Sequence, residues 1–276
     1  MKPVFTPNRP QAPPPRQANG NTPQPMRELS VSRGVNVEAQ KIVEYGPGGA
    51  GKTALAASLE QLGIKPIFLD VEDGTKFFDV ARVMPQNFDE VRGILRNKEL
   101  LQPFDAVVID SLTRVEEMAV AWTIDNVPHE KGYKVSSVEG YGFGKGYQYV
   151  FETMLMLLGD LDMVARSGKH IICIAHECTA AVPNPFGEDW IRFEPRLQSP
   201  ASGKSSVRLR VKEWTDHLIF IGYDVLLKDG KAVGAGTRTI YTTERPTHMA
   251  KSRSIDEVIP YVLNDTTLWQ KLFNKE

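Results

Sequence analysis

Eight consecutive residues concentrate the chemistry of this chain: Gly46, Pro47, Gly48, Gly49, Ala50, Gly51, Lys52 and Thr53. Gly46, Gly51, Lys52 and Thr53 satisfy the spacing G-x-x-x-x-G-K-[ST]. Glycines allow backbone N–H groups to turn inward around phosphate oxygens, and a helix that follows aims its positive end at them. The Lys52 ammonium is then placed for the β- and γ-phosphates of ATP, and the Thr53 hydroxyl for Mg²⁺. A second requirement is an acid at the end of a nearby buried strand, holding the cation through water. Asp110 closes the apolar run Ala106 to Ile109 and meets it. The residue after it is Ser111 rather than a glutamate, so the water-polarising carboxylate must come from elsewhere.

These residues need a scaffold, and the sequence supplies one. Lys41 to Tyr45 is a short apolar strand entering the glycine turn, and Lys52 to Leu62 has a helical stripe at Leu55, Leu59 and Leu62, stopped by Gly63. Further buried strands are expected at Pro66–Asp70, Ala106–Asp110 and His170–Ala175. Helices are expected at Phe88–Arg96, Thr113–Asn126 and Tyr147–Arg166. This alternation predicts an α/β fold with a mostly parallel central sheet covered by helices on both faces. Beyond residue 205 the pattern changes. Ser206–Val211 alternates with period two, and His217–Leu227, Lys231–Ala235 and Thr237–Thr242 also read as strands, with Asp229-Gly230 as a turn. They are expected as antiparallel additions at one edge of the sheet, followed by a short helix at Thr266–Asn274.

Residues 1–34 form a different segment. Eight of the first 25 residues are proline, which predicts a disordered tail, either a solvated leader or an arm for a neighbouring subunit. The core is expected over residues 35–276. With 33 Lys+Arg against 34 Asp+Glu the net charge is −1, so nucleic-acid binding must come from local loops and not from a global basic field. Cys173 and Cys178 are too few for a disulfide framework and fit a reducing cytoplasm. With His176 they could suggest zinc, but a fourth ligand at sensible spacing is missing. No apolar run is long enough to span a bilayer, and no signal-peptide stretch is present.

In its catalytic layout the chain resembles the RecA family of P-loop ATPases, most closely the core-only RecA paralogues encoded by bacteriophages. The resemblance rests on the segments GPGGAGKT, LDVEDG, VVIDS, IAHE and AKSR, in that order. It implies that Glu72, twenty residues after Lys52, is the general base, with Asp70 and Asp73 as rivals and a loop acid paired with Lys76 as the plain alternative. His176 stands at the position of the family's γ-phosphate sensor, which is usually glutamine. Lys251 and Arg253 stand where the family carries basic residues that complete the neighbouring subunit's ATP site, implying self-association into a ring or filament.

The resemblance also implies two loops for single-stranded DNA. The first, about Lys131 to Tyr149, offers Lys134, Tyr141, Phe143 and Lys145. The second, about Cys178 to Ser205, offers Arg192 and Arg196. Lysines and arginines beside aromatic faces suit tracking of a single strand. Phe77, Phe78 and Arg82 are candidates for the adenine. The function implied is a DNA-stimulated ATPase in host cytoplasm, acting in recombination or annealing. A nucleotide switch with a protein partner and a small-molecule kinase are the alternatives.

Overall fold

The continuous apolar runs become the middle of one sheet because each strand there is buried on both faces. The computed structural model describes Arg33 and residues 39–201, 203–228 and 231–273. Apart from Arg33, the Pro-rich tail lies outside these, as does the Asp229-Gly230 turn. In chain order the elements are β1 (Lys41–Tyr45), α1 (Lys52–Ala57), β2 (Pro66–Asp70), β3 (Ala81–Val83), α2 (Phe88–Arg96), α3 (Lys98–Leu101), β4 (Ala106–Asp110) and α4 (Leu112–Asn126). They continue with α5 (Lys145–Arg166), β5 (His170–Ala175), β6 (Glu177–Val182), β7 (Trp190–Pro195), α6 (Val207–Trp214), β8 (His217–Lys228), β9 (Lys231–Tyr241), β10 (Val258–Tyr261) and α7 (Thr267–Phe273).

The main sheet has the order β10-β9-β8-β1-β5-β4-β2-β3. From β8 to β3 every pairing is parallel, while β9 and β10 add antiparallel at the other edge. This is the expected mostly parallel sheet with antiparallel strands at one edge, and β5 is inserted between the P-loop strand β1 and the acid-bearing strand β4. One core packs α2, α4, α5 and α6 against one face of the sheet. The other packs α1 and α7 against the opposite face. Parallel strands bring all their carboxyl ends to one edge, and the site assembles there.

Four expectations are corrected. Ser206–Val211 is not a strand but enters helix α6: the Ser206 hydroxyl caps it by accepting from Leu209 N, and Val207, Val211 and Trp214 form its buried stripe. Val207, Leu209 and Val211 alternate with basic residues, which mimics a strand, yet Leu209 is exposed. The spacing i, i+4, i+7 is the one that packs.

The helix after the P-loop keeps α geometry only to Ala57, then tightens into a 3-10 turn over Ser58–Leu62. Its Leu55 carbonyl accepts from the Ser58 hydroxyl at 2.7 Å and from the buried Trp269 indole at 2.7 Å. Those donors take the acceptor that would otherwise continue the α ladder. Finally, the second long loop contains a hairpin, β6 paired with β7 from Glu177↔Pro195 to Val182↔Trp190, and the two edge segments at 231–235 and 237–242 are one strand, β9.

Candidate active site

The P-loop is shaped by contacts from distant strands. Gly46 has φ 157°, and a Cβ there would lie 2.1 Å from the Ile221 carbonyl oxygen of β8, so no side chain fits. Gly51 has φ 96°, and its added Cβ would stand 2.7 Å from Leu263 and 3.0 Å from the Tyr261 hydroxyl. That hydroxyl donates to the Gly51 carbonyl at 2.8 Å, so β10 buttresses the loop from across the fold. No side chain caps the start of α1. Its free N–H groups and the glycine turn therefore form a cradle suited to phosphate.

Lys52 is 8% exposed and folds over the loop, its Nζ donating to the Gly46 carbonyl at 2.7 Å and the Pro47 carbonyl at 2.9 Å. Burial lowers its pKa, while Glu44 and Asp110 act in the opposite sense. Glu44 is a residue that the sequence reading passed over. It lies on β1 with zero exposure, and neither carboxylate oxygen has a hydrogen-bond partner among the described residues. Burial raises its pKa well above the usual carboxylate range, more than Lys52 lowers it. A neutral Glu44 leaves the Lys52 charge uncancelled for an anionic ligand. The available signal was a single acid inside an apolar strand two residues before the turn.

The acid-bearing strand meets the P-loop helix directly. The Thr53 hydroxyl donates to Asp110 Oδ2 at 2.7 Å. A hydroxyl beside a carboxylate is a hard-oxygen pair, and it fits Mg²⁺ in chemistry and in position beside the phosphate cradle. Burial pushes the Asp110 carboxyl up to about 6, against the lowering effect of the Thr53 hydrogen bond. Its contribution to stability is therefore fully present below its ordinary value of 3.8 and is lost as pH rises through about 6. Asp110→Asn is accordingly expected to raise stability at about pH 8, by up to about 3 kcal/mol, and to change little at about pH 4. The same variant should lose Mg²⁺-dependent hydrolysis. Melting curves at the two pH values, beside a phosphate-release assay, check both halves.

Glu72 is held by the residues that directly follow β4 and β5. Ser111 Oγ donates to Glu72 Oε1 at 2.6 Å while also capping α4 by accepting from Arg114 N at 3.2 Å. His176 Nε2 stands 3.1 Å and 3.0 Å from the two Glu72 oxygens. His176 is itself fixed by its N–H, which donates to Thr113 Oγ1 at 3.0 Å. The His176 hydrogen bond holds Glu72 below the usual carboxylate range, assisted by Ser111 and by the charge of Arg196, against its partial burial.

The rival Asp70 is occupied. Its oxygens accept from the N–H groups of Glu72, Gly74 and Thr75 and from the Thr75 hydroxyl. Burial pushes its carboxyl up, but these bonds prevail and hold it low. Asp70 shapes the turn that presents Glu72. Asp73 is exposed, with φ 59°.

The residues expected on DNA-binding loops divide. Lys134 and Phe143 are exposed. Tyr141 is not available for stacking: it is 2% exposed and its hydroxyl donates to the carbonyls of Thr123 and Val127, tying the loop to α4. Lys145 pairs with Glu130 at 2.6 Å. Arg192 is likewise corrected, its side chain being 10% exposed and clamped between Glu194 at 2.8 Å and Glu244 at 2.6 Å. Arg196 is exposed but sits beside the site, its N–H donating to the His176 carbonyl at 2.8 Å.

Lys251 and Arg253 lie beside the start of β8, away from their own P-loop. Lys251 Nζ donates to the carbonyls of Lys212, Glu213 and Thr215, closing α6, whereas Arg253 is 62% exposed with Asp216 at 3.4 Å. Of the adenine candidates, Phe77 is exposed and Arg82 is engaged by Thr75. Among the described residues no three His, Cys, Asp or Glu side chains converge as metal ligands, and burial pushes the Cys173 thiol up to about 12. No described helix is long and apolar enough to cross a membrane.

The site can be set beside known proteins. A family model described as an AAA domain matches residues 38–254. No curated protein matches the sequence significantly. Among similar solved structures is one described as the crystal structure of the RadB recombinase, with 18% identity and a TM-score of 0.37, covering 73% of this chain and 79% of that one.

Proposed function

We propose, from the premise that this chain belongs to the AAA domain family, that it hydrolyses ATP with Mg²⁺ and uses the cycle to grip and release single-stranded DNA. The process served is recombination or annealing of the phage type, in the cytoplasm of the host. The carrying observation is the Glu72–His176 contact, because His176 directly follows β5 and the next residue, Glu177, begins the β6–β7 hairpin. Whatever moves His176 acts at once on the base and on the hairpin.

In this reading the P-loop N–H groups and Lys52 bind the phosphates, and Thr53 and Asp110 hold Mg²⁺, which would neutralise charge on the phosphate oxygens. An ATP γ-phosphate competes with Glu72 for the His176 N–H. Glu72, still oriented by Ser111, then accepts a proton from water as the water oxygen attacks γ-phosphorus and the bond to ADP breaks. Arg196 adds positive charge beside that carboxylate. Self-association in a ring or filament would place the exposed Arg253 of one subunit at the site of the next. Lys251 would first have to leave its three carbonyls. The free cysteines suit a reducing compartment.

The test is the ATPase rate with and without single-stranded DNA at low and moderate salt. Stimulation that weakens as salt rises is expected, because phosphate contacts release counterions. A rate indifferent to DNA would overturn the DNA half and favour a nucleotide switch with a protein partner. That second reading draws on the pairing of Lys145 and Arg192 with carboxylates, which removes two cations from the expected DNA surface.

A further inference from the structure

One cavity of about 530 Å³ lies at the carboxyl edge of the sheet, outside the phosphate cradle but sharing Pro47 with it. Its walls come from three places: Glu177 and Phe193 of the β6–β7 hairpin, Phe220 and Tyr223 of β8, and Tyr241 with His248 beyond it. The volume is that of a small-molecule pocket. Phe220 stacks at 5.3 Å on Phe193 and at 5.1 Å on His248, giving an aromatic floor. Phe193 and Tyr223 remain 37% and 44% exposed at the mouth. Gly222 keeps this space open, since a Cβ there would stand 2.8 Å from the Phe220 ring.

The polar groups select the guest. Glu177 Oε2 is buried with no hydrogen-bond partner among the described residues, an arrangement that costs free energy until a donor arrives. The other carboxylate, Asp224, is already satisfied by the hydroxyls of Thr237 and Thr239, each at 2.6 Å. Around the rim, Arg238 lies 5.5 Å from the Tyr223 ring centre and Arg245 lies 5.5 Å from that of Tyr241. An apolar aromatic slot with one inner acceptor and two outer guanidiniums matches a planar, amine-bearing ring joined to a phosphate. A cationic guest would face the two arginines.

We infer that this cavity is a nucleobase pocket, taking one unpaired base of a bound DNA strand, with Glu177 accepting from its exocyclic amine and Arg238 and Arg245 meeting the adjoining phosphates. The inference rests on the single-strand reading above and deepens it. Because Glu177 follows His176, occupation of the pocket bears on the residue that holds the catalytic carboxylate.

The experiment compares full-length protein binding to an oligodeoxycytidylate and to an abasic strand of equal length, with ATP and Mg²⁺ present. The intact strand is expected to bind about tenfold tighter or more, the usual worth of a stacked base. Phe193→Ala and Glu177→Met, which keeps the stem but removes the acceptor, should each bring that ratio towards one while the salt dependence set by phosphates persists. Equal binding of the two strands by the unaltered protein, or a ratio that neither substitution changes, overturns the pocket. Capture of free deoxycytidine monophosphate without strand binding overturns the strand as the source of the base. Capture of an arginine-rich peptide in its place overturns the inference in favour of a protein partner. Absence of any strand binding would remove the single-strand reading itself, a result distinct from equal binding of intact and abasic strands.

Discussion

Lys52→Ala is expected to lower kcat/KM for ATP by at least about a thousandfold and to weaken ATP binding sharply. Its ammonium spans the mouth of the P-loop, and its hydrogen bonds among the described residues go to the carbonyls of Gly46 and Pro47. Arriving phosphate oxygens are better acceptors than neutral carbonyls, so the ammonium can transfer to them within the same small space. The cradle supplies N–H dipoles, but no other lysine or arginine is recorded within the P-loop.

The fold should survive the change. Lys52 contributes to no core cluster, and burial favours neutral Glu44 with or without the lysine beside it. Phosphate release, nucleotide titration and a melting curve on one preparation separate the possibilities. Unchanged turnover would overturn the assignment of the P-loop as the ATP site. Lost turnover with lost folding would call for Lys52→Met, which restores the apolar stem without the charge.

Glu72→Gln should bind ATP within about threefold of the unaltered protein yet turn it over about 10²- to 10⁴-fold more slowly. Glutamine is isosteric, its carbonyl can still accept from Ser111, and its amide can donate to one tautomer of His176. What it lacks is the basic oxygen. Because His176 holds Glu72 low, this carboxylate is ionised across the neutral range and does not set the acid limit of activity. At limiting Mg²⁺, activity should fall as pH drops through about 6, because the proton taken up by the metal-free Asp110 carboxyl competes there with the cation. Single-turnover hydrolysis over that pH range, for both proteins, measures the rate and the limb together. A Glu72→Gln rate equal to that of the unaltered protein would dismiss Glu72 as the base. Asp70 could not simply replace it, since four donors already occupy its oxygens.

The sequence by itself determined the parts of this protein whose physics is local. A glycine turn between an apolar strand and a helix announces a phosphate cradle, because left-handed backbone at Gly49 and Gly51 and inward N–H groups are needed there. Asp110 was legible because a strand buried on both faces should not end in an acid without a use for it, and Thr53 was legible from its place after Lys52. Seven continuous or alternating runs gave away six of the eight strands of the main sheet, including β9 at its antiparallel edge.

Tertiary structure decided the rest, because it depends on residues far apart in the chain. Val207 to Val211 reads equally as period two or period four until a core selects the face at Val207, Val211 and Trp214. Glu44 looks like an ordinary strand residue until β5 and β8 enclose it. Tyr141 and Arg192 have the chemistry of a DNA surface, but packing against α4 and pairing with Glu194 withdraw them from solvent. Glu72 was already preferred to Asp70 through the family resemblance, and the fold adds what no local pattern could show, the contacts of His176 and Ser111 from 104 and 39 residues away. Side-chain chemistry is written residue by residue, whereas burial and partnership are properties of the closed sheet.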